Sequence, residues 1–256
     1  MKIATFNVNS IKARLPRVLE WLKERNPDVV CLQEIKSLDE NFPRMEIEDL
    51  GYNIETHGQK TYNGVALLSK FPIEDVQRGL PENTEDDQAR YIEAFTGGVR
   101  IGCLYLPNGN PIPGEKFDYK LRWMDHLVSH AKTLLAYEEP LVLCGDYNVI
   151  PKDEDVFDPA RFEGDALTQP ATRARYRELM YLGFTDALRV LRPSGADYTF
   201  WDYQRGAWQK DNGLRIDHHL LSPQAADILK DCQIDKMVRG GERASDHVPI
   251  WIDLDI

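Results

Sequence analysis

The chain has 256 residues, of which 42% are hydrophobic and 29% are charged. This composition is typical of a globular protein and excludes a disordered or fibrous chain, so we predict a single domain over residues 1–256. The formal net charge is −11, which excludes a protein that coats DNA through its overall charge. Any polyanion must therefore be bound at local cationic positions.

Four cysteines stand far apart, and three of them lie in apolar segments, which is typical of reduced, buried thiols. The chain starts with a strand-like segment rather than a basic and then apolar leader. No apolar run approaches the ~20 residues that a membrane span requires. We therefore expect a cytoplasmic protein that does not bind a membrane.

The first part of the chain alternates between strand-like and helix-like segments. Residues 2–6 are apolar and β-rich, and a loop with Lys12 and Arg14 follows them. Pro16 suits the first position of a helix, which ends at the next proline. Residues 28–32 then form a strand of the buried type. This order of strand, helix and strand indicates layered α/β architecture.

The same alternation continues to the end of the chain. Hydrophobic spacing predicts a long helix over 117–135 and a shorter one near 172–182, with an acidic loop over 153–165 before it. The further predicted strands are 64–69, 91–95, 100–106, 141–144, 199–203, 214–222 and 248–254. Both ends of the chain are therefore expected to lie in a sheet.

Polar residues follow three of the predicted strands. Asn7 and Glu34 follow the first two strands of the chain, and Asp146 with Asn148 follows the strand at 141–144. In layered α/β proteins, the carboxyl edge of the strands is where ligands bind. We expect these side chains to line one pocket.

Two late segments add acids and a histidine to this pocket. Asp217 lies within the strand at 214–222, and Asp246 with His247 comes directly before the last strand. A carboxylate bonded to one imidazole nitrogen fixes the tautomer and favours the imidazolium, which can donate to a phosphate oxygen. We predict that Asp217 and His247 form such a pair.

The four acids of this pocket offer only oxygen ligands, which suit Mg²⁺ or Mn²⁺ better than a thiolate-preferring metal. The chain has no CxxC or HExxH motif, and the adjacent His218 and His219 are predicted to point to opposite faces of a strand. It also has no glycine-rich phosphate loop, so we expect no nucleotide cofactor. A hard metal beside carboxylates and one histidine favours hydrolysis of a phosphodiester.

Seven short motifs are spread along the chain: FNVNS at 6–10, LQEIK at 32–36, HGQKTYNGVALLSK at 57–70, YLPNG at 105–109, GDYNV at 145–149, GLRIDHHLLS at 213–222 and SDHVPI at 245–250. Together and in this order they resemble the exonuclease III family of apurinic/apyrimidinic endonucleases, of the endonuclease/exonuclease/phosphatase superfamily. Leu214 stands where animal members have a tryptophan, so the resemblance is to the bacterial type.

The resemblance implies a four-layer α/β sandwich, in which two mixed β-sheets pack face to face with helices on the outside. It implies metal-dependent hydrolysis of DNA in base-excision repair, with a cut on the 5′ side of an abasic site. It also implies 3′ phosphodiesterase or phosphatase activity and 3′→5′ exonuclease activity. The expected partners are one or two Mg²⁺ or Mn²⁺ ions and double-stranded DNA with an abasic site or a 3′ end, bound by a monomer.

The resemblance also assigns roles by position. Glu34 resembles the principal metal ligand, Asn7 lies beside it, and Asp246 resembles a carboxylate associated with the metal. Asn9 resembles an assisting residue. A larger set resembles the catalytic residues: Asp146 for orienting or deprotonating water, Asn148 and Tyr105 for contacting the phosphate, and the Asp217–His247 pair.

The expected DNA contacts have two origins. The resemblance implies a contact at Asn108 and an aromatic surface at Phe200 and Trp201 near the abasic-sugar pocket. The need for local cations points to a larger set of basic residues: Lys12, Arg14, Lys36, Lys60, Arg90, Arg173, Arg175 and Arg177. Weak, salt-sensitive DNA binding is the expected consequence.

Two alternatives remain at this stage. The first is a phosphatase or phosphodiesterase of the same superfamily that acts on inositol phosphates or a phospholipid, since it needs similar catalytic residues. The second is a catalytically silent module that binds damaged DNA. The DNA-type loop motifs argue against the first, and the complete set of acids argues against the second.

Overall fold

Twelve strands form two six-stranded sheets in the computed structural model, which describes residues 1–256. The strands are β1 (Lys2–Asn7), β2 (Val29–Gln33), β3 (Asn53–His57), β4 (Val65–Ser69), β5 (Ile73–Arg78), β6 (Tyr91–Thr96), β7 (Val99–Tyr105), β8 (Leu141–Asp146), β9 (Thr185–Asp186), β10 (Asp217–Leu221), β11 (Leu229–Ile234) and β12 (Ile250–Leu254). The α-helices are α1 (Ile11–Arg25), α2 (Arg44–Glu48), α3 (Glu115–Leu135), α4 (Pro170–Leu182), α5 (Ala187–Leu191) and α6 (Pro223–Ala226). None of the helices has the length and apolarity needed to span a bilayer.

Each sheet is mixed. The first sheet has the order β11-β12-β1-β2-β4-β3, and the second has the order β5-β6-β7-β8-β10-β9. The only parallel pairs are β1 with β2 and β7 with β8, one near the middle of each sheet. The first strand of the chain also pairs with the last, β12. The predicted four-layer sandwich with two mixed sheets is confirmed.

Buried apolar side chains join the layers. A cluster of 20 buried residues, which includes Ile3, Val29, Ile101 and Val142, fills the space between the sheets. The outer face of the first sheet is covered by α1 and the outer face of the second by α3 and α4. Strands β2, β4, β8 and β10 are buried along their whole length, as expected of strands covered on both faces.

This topology brings the polar strand ends together. The parallel strands β1 and β2 end at Asn7 and Gln33, and the parallel strands β7 and β8 end at Tyr105 and Asp146. The antiparallel strand β10 begins beside the end of β8, with Asp217 opposite Asp146. Functional residues from both sheets therefore lie at one end of the sandwich.

Two element predictions were wrong. Residues 199–203 form no strand, because Phe200 makes only isolated bridges to Leu214 and His247. Helix α1 begins at Ile11, so the segment with Lys12 and Arg14 is helical and Pro16 lies inside the helix. The earlier start follows from tertiary contacts, since the N–H groups of the residues that open the helix donate to carbonyls of the loop after β2.

Several elements were missed because their sequences mix polar and apolar residues. Edge strand β5 reads IEDVQR and edge strand β11 reads LKDCQI, so neither has a clear alternation. Strand β3, NIETH, is also at an edge. Such strands are held mainly by pairing with a neighbour, which a local pattern does not reveal. The late strands β10 and β12 begin a few residues after their predicted starts.

Candidate active site

Glu34, Asp146 and His247 form the centre of the site. One ligand atom of each lies within 4.8 Å of the others. Asn7 links the two acids, because its Nδ2 donates to Glu34 Oε1 and to Asp146 Oδ2, at 2.9 Å in each case. Asn7 is separated along the chain by 27 residues from Glu34 and by 139 residues from Asp146, and the two sheets bring all of these residues to one point.

Asp217 and His247 form the expected pair. His247 Nδ1 lies 2.9 Å from Asp217 Oδ2 and 3.1 Å from Oδ1, and both residues are buried. Thr199 Oγ1 also donates to Asp217 Oδ2, at 2.6 Å. Burial disfavours the imidazolium, but the charges of Asp217 and Asp146 outweigh it and raise the pKa of His247 to about 10. His247 is therefore protonated at neutral pH.

The environment of Asp146 favours its neutral form. Burial, with the charges of Asp217 and Glu34, raises the pKa of Asp146 to about 7, although His247 acts in the opposite direction. His247 Nε2 lies 3.7 Å from Asp146 Oδ2. The backbone N–H of Asn148 donates to the other carboxylate oxygen at 2.9 Å. Asp146 is thus held in one orientation with a pKa near the pH at which an enzyme works.

Glu34, unlike Asp146, is held in its ionised form. Burial raises its pKa, but hydrogen bonds from Lys36 and Asn7 outweigh burial and bring the pKa below the ordinary value. Lys36 Nζ lies 2.8 Å from Glu34 Oε2 and donates to Asn9 Oδ1 at 2.7 Å. Lys36, expected as a cation for DNA, therefore acts as the counter-ion of the site.

Asp246 lies at the edge of this centre. Its Oδ1 accepts from Asn9 Nδ2 at 3.1 Å, and its side chain lines the same cavity as Glu34 and His247. It is not among the three residues whose ligand atoms lie within 4.8 Å of one another. Its expected part in metal binding stays a prediction.

The two loops after β7 and β8 present amide and aromatic groups beside the acids. Asn108 Nδ2 donates to Asn148 Oδ1 at 3.1 Å, and Asn148 Nδ2 donates to a backbone carbonyl. Burial, with the charges of Glu34 and Asp146, raises the pKa of Tyr105, whose phenol therefore stays protonated. Arg90 packs on the Tyr105 ring, with its guanidinium carbon 4.8 Å from the ring centroid, and donates to the Tyr105 carbonyl.

A cavity of about 550 Å³ opens beside the acids. Its apolar wall includes Phe200, Leu214, Phe157 and Phe162, and its rim carries polar and charged residues. Phe200 lies where the resemblance implied an aromatic surface. The same expectation for Trp201 is wrong, because this side chain is 0% exposed and packs in a small core with Tyr198 and Val248.

The predicted DNA-contact cations differ in their surroundings. Lys12 and Lys60 are exposed. Arg14 Nη2 donates to the hydroxyl of Tyr203, near the cavity rim. The arginine run on α4 is largely engaged in the protein, since Arg173 pairs with Asp153 and Arg175 with Asp125.

Sequence reasoning missed two residues that organise the site. Thr199 holds Asp217, whereas the sequence places it only at the start of the predicted strand over 199–203. Lys120 on α3 is fully buried and donates to carbonyls of both loops that carry the amides. A lysine on the apolar face of a predicted helix was the available signal for Lys120. No local signal pointed to Thr199.

Two face-to-face sheets with an acid–histidine centre at one end define a class of four-layer α/β enzymes. Residues 4–247 match the model of the Endonuclease/Exonuclease/phosphatase family, and the chain belongs to this family. The resemblance drawn from the motifs is confirmed.

Full-length relatives agree with this assignment. The chain is 36% identical over 266 residues to Exodeoxyribonuclease III of Haemophilus influenzae, covering 99% of each chain. It is similar to the solved structure of the 3′ phosphatase NExo from Neisseria bound to a product DNA hairpin, with a TM-score of 0.98, 40% identity and full coverage of both chains. It is also similar to an AP endonuclease from Archaeoglobus fulgidus, with a TM-score of 0.96, 38% identity and full coverage.

Proposed function

We propose that this protein is a metal-dependent DNA repair phosphodiesterase. In this proposal it cuts 5′ to abasic sites, has 3′ phosphodiesterase or phosphatase activity, and degrades duplex DNA as a 3′→5′ exonuclease. The observation that carries the proposal is the meeting of Glu34, Asp146 and the Asp217–His247 pair beside one cavity. The full-length similarity to an exodeoxyribonuclease, an AP endonuclease and a 3′ phosphatase supports the substrate.

The donor set fits a hard divalent cation. Glu34 is ionised, its carboxylate and that of Asp146 offer oxygen, and the Asn7 amide holds both carboxylates in place. Mg²⁺ or Mn²⁺, as one or two ions, is therefore the proposed cofactor, with Glu34 as its main ligand and Asn7 and Asp246 beside it. A bound cation would neutralise charge on the phosphate and lower the barrier to attack by water.

The protein groups supply the proton transfers. Asp146, with a pKa of about 7, accepts a proton from the attacking water, since a general base works best with a pKa near the working pH. His247 is protonated and donates from Nε2 to a phosphate oxygen, where negative charge develops. Asp217 holds His247 Nδ1, so that Nε2 faces the substrate.

Amide and phenol groups position the phosphate. Asn148 has one Nδ2 hydrogen left after its bond to the protein, and the same is true of Asn108. Tyr105 contributes a protonated phenol. Three neutral donors can therefore hold phosphate oxygens without adding negative charge. In this proposal the flanking DNA is held by Lys12, Arg14, Arg90 and the aromatic Phe200.

A direct assay tests the proposal. Labelled duplexes with an abasic site, a 3′-phosphate or a recessed 3′ end are incubated with the protein and Mg²⁺, Mn²⁺ or a chelator. We expect strand cleavage 5′ to the abasic site and loss of activity with the chelator. Hydrolysis of an inositol phosphate without any hydrolysis of DNA would favour the alternative within the superfamily, and metal-independent binding without product would favour a silent binding module.

Two substitutions test the catalytic assignment. Asp146→Asn and His247→Asn are each expected to lower kcat on abasic DNA by about 10²-fold or more, because each removes a proton-transfer group. Asp227→Asn, at the exposed residue that follows α6, is the matched control and keeps the activity. Circular dichroism checks that all three variants fold. Near-normal turnover by either active-site variant contradicts the roles given above. The monomeric state and the cytoplasmic location stay predictions.

A further inference from the structure

Lys120 is the most unusual charged residue of the protein outside the acid–histidine centre. It lies on α3 with 0% of its surface exposed. Its Nζ donates to the backbone carbonyls of Pro107, Asn108 and Asn148, at 3.0, 3.1 and 2.6 Å. An ammonium group has three donors, so all of them are used within the protein. None of the three acceptors is a carboxylate.

The three carbonyls belong to two different loops. Pro107 and Asn108 follow β7, and Asn148 follows β8, the parallel neighbour of β7. These loops carry the two amide side chains that face the cavity and hydrogen-bond each other. One ammonium therefore ties together the backbones of both amide-bearing residues.

The surrounding chain is built to admit this side chain. Gly109 has φ +90°, and a Cβ at this position would lie 2.6 Å from Lys120 Cδ. A side chain here would meet the lysine stem as well as strain the backbone. The glycine thus makes room for the lysine to reach the carbonyls from the helix.

Stability alone does not account for a lysine here. Burial of a charge without a paired carboxylate is unfavourable, and burial lowers the pKa of Lys120 to about 7 although Asp146 and Asp165 oppose this shift. An apolar side chain such as methionine would avoid this cost on the buried face of α3. What methionine cannot do is donate three hydrogen bonds to two separate loops.

We propose that Lys120 is a positioning residue, which sets the distance between the two loops and thereby aims the Asn108 and Asn148 amides at the substrate phosphate. It does not touch the substrate, since it lies beneath the loops. The proposal rests on the proposed function for its kinetic consequence, but the loop geometry can be tested without any activity. Misplacement of a positioning group by about 1 Å can cost about 10²-fold in rate.

The test substitutes Lys120 by methionine, which keeps the chain length and removes the donors. We expect Lys120→Met to lower kcat for cleavage of abasic DNA by about 30- to 100-fold, with KM changed less than about threefold. Lys120→Gln keeps an amide donor, so we expect it to lose less activity than Lys120→Met. If the methionine variant does not fold, the glutamine variant serves as the test. Lys132→Met, at an exposed position of the same helix, is the control and keeps the wild-type kcat.

A double-mutant cycle separates positioning from a general effect on stability. If Lys120 acts through the two amides, then Lys120→Met costs less in a protein that already has Asn148→Ala than it does in the wild type, because one of the two amides to be positioned is gone. All rates are measured well below the melting temperature of each variant. Full additivity of the two substitutions, or a normal kcat in folded Lys120→Met, overturns the proposal.

The side-chain amide resonances of Asn108 and Asn148 give a readout that needs no activity. Lys120→Met should shift or broaden both pairs of amide signals in a ¹H–¹⁵N spectrum, while the amide signals of Asn53, at the edge of the first sheet, stay in place. Unmoved Asn108 and Asn148 signals overturn the proposal. A wild-type protein that cuts no DNA overturns the proposed function instead, and leaves this spectral test of the tether intact.

Discussion

Asp217 controls the ionisation of His247. It lies within hydrogen-bond distance of the imidazole, and its charge is the main cause of the raised pKa of His247. In Asp217→Asn the neutral amide no longer stabilises the imidazolium, so we expect the pKa of His247 to fall and kcat to fall by about 10²-fold. An NMR titration of His247 and a pH–rate profile measure the two effects.

The control for this prediction is Thr199→Val, which removes the hydrogen bond to the Asp217 carboxylate and the acceptor of the Ile216 and Asp217 N–H groups, but leaves the charge of Asp217. We expect this variant to keep the pKa of His247 above its ordinary value and to lose less activity than Asp217→Asn. Equal pKa values for His247 in the wild type and in Asp217→Asn are incompatible with this account of the pair.

His219 is a buried residue whose effect on the free energy of unfolding depends on pH. It is 1% exposed, and neither ring nitrogen has a hydrogen-bond partner. Burial lowers its pKa from the ordinary 6.5 to about 3. Below about pH 6.5 the unfolded chain binds a proton at this residue that the folded chain does not bind. Stability is therefore lost as the pH falls from 6.5 towards 3, and this group has no effect above that range.

His219→Leu should flatten the acid side of the stability curve. Between pH 6 and pH 4 we expect the free energy of unfolding of the wild type to fall more steeply than that of His219→Leu. The difference between the two slopes is about 1.4 kcal/mol per pH unit, since one proton is involved. Urea unfolding at several pH values measures this slope. Identical slopes in the wild type and in His219→Leu contradict the prediction.

At the scale of elements, a buried ion network fixes the loop that borders the cavity. Arg215, just before β10, donates to Asp155 Oδ1 at 2.7 Å and to Asp186 Oδ2 at 2.8 Å. Asp155 lies in the acidic loop after β8 and also pairs with Arg189 of α5. Because Asp155 is buried, it depends on these arginines for its charge. The network thus joins the loop, α5 and the start of the strand that carries Asp217.

Removal of Arg215 leaves two acids without their main partner. We expect Arg215→Met to lower the free energy of unfolding by about 3 to 5 kcal/mol, the range for breaking a buried ion pair from one side. Arg161→Met breaks the exposed pair with Asp158 in the same loop and should cost less than about 1 kcal/mol. Urea unfolding compares the two, and similar losses would show that the network contributes no more than a surface pair.

The sequence predicted those elements whose patterns are local. Fully apolar strands such as β8 and the long amphipathic α3 carry their signal in their own residues, whereas β5 and β11 depend on a neighbouring strand. Asn7, Glu34 and Asp146 could be predicted as one site because each follows a buried strand. The Thr199 contact and the Lys120 tether could not, because each depends on a loop placed by the rest of the fold.

At the scale of the whole molecule, an acidic protein must bind an acidic polymer. The net charge is −11, so attraction to DNA depends on a few exposed cations such as Lys12 and Lys60. Contacts with about three to five phosphates would give a slope of about −3 to −4.5 in a plot of log affinity against log salt. We expect KM for duplex DNA to rise with potassium chloride accordingly.

Single substitutions identify the cations that contribute to this slope. Lys12→Gln should make the slope shallower by about one unit, since one phosphate contact is lost. Lys132→Gln, near the carboxyl end of α3, removes the same charge and should leave the slope unchanged. If both variants change KM equally at every salt concentration, net charge rather than local contact governs binding.

The residues of the centre are divided between the sheets: Asn7 and Glu34 lie at the ends of strands of the first sheet, and Asp146 and Asp217 lie on strands of the second. Neither sheet alone therefore carries all the catalytic and metal-binding groups of the centre. Hydrolytic competence thus requires that the two sheets pack on each other at this end of the sandwich.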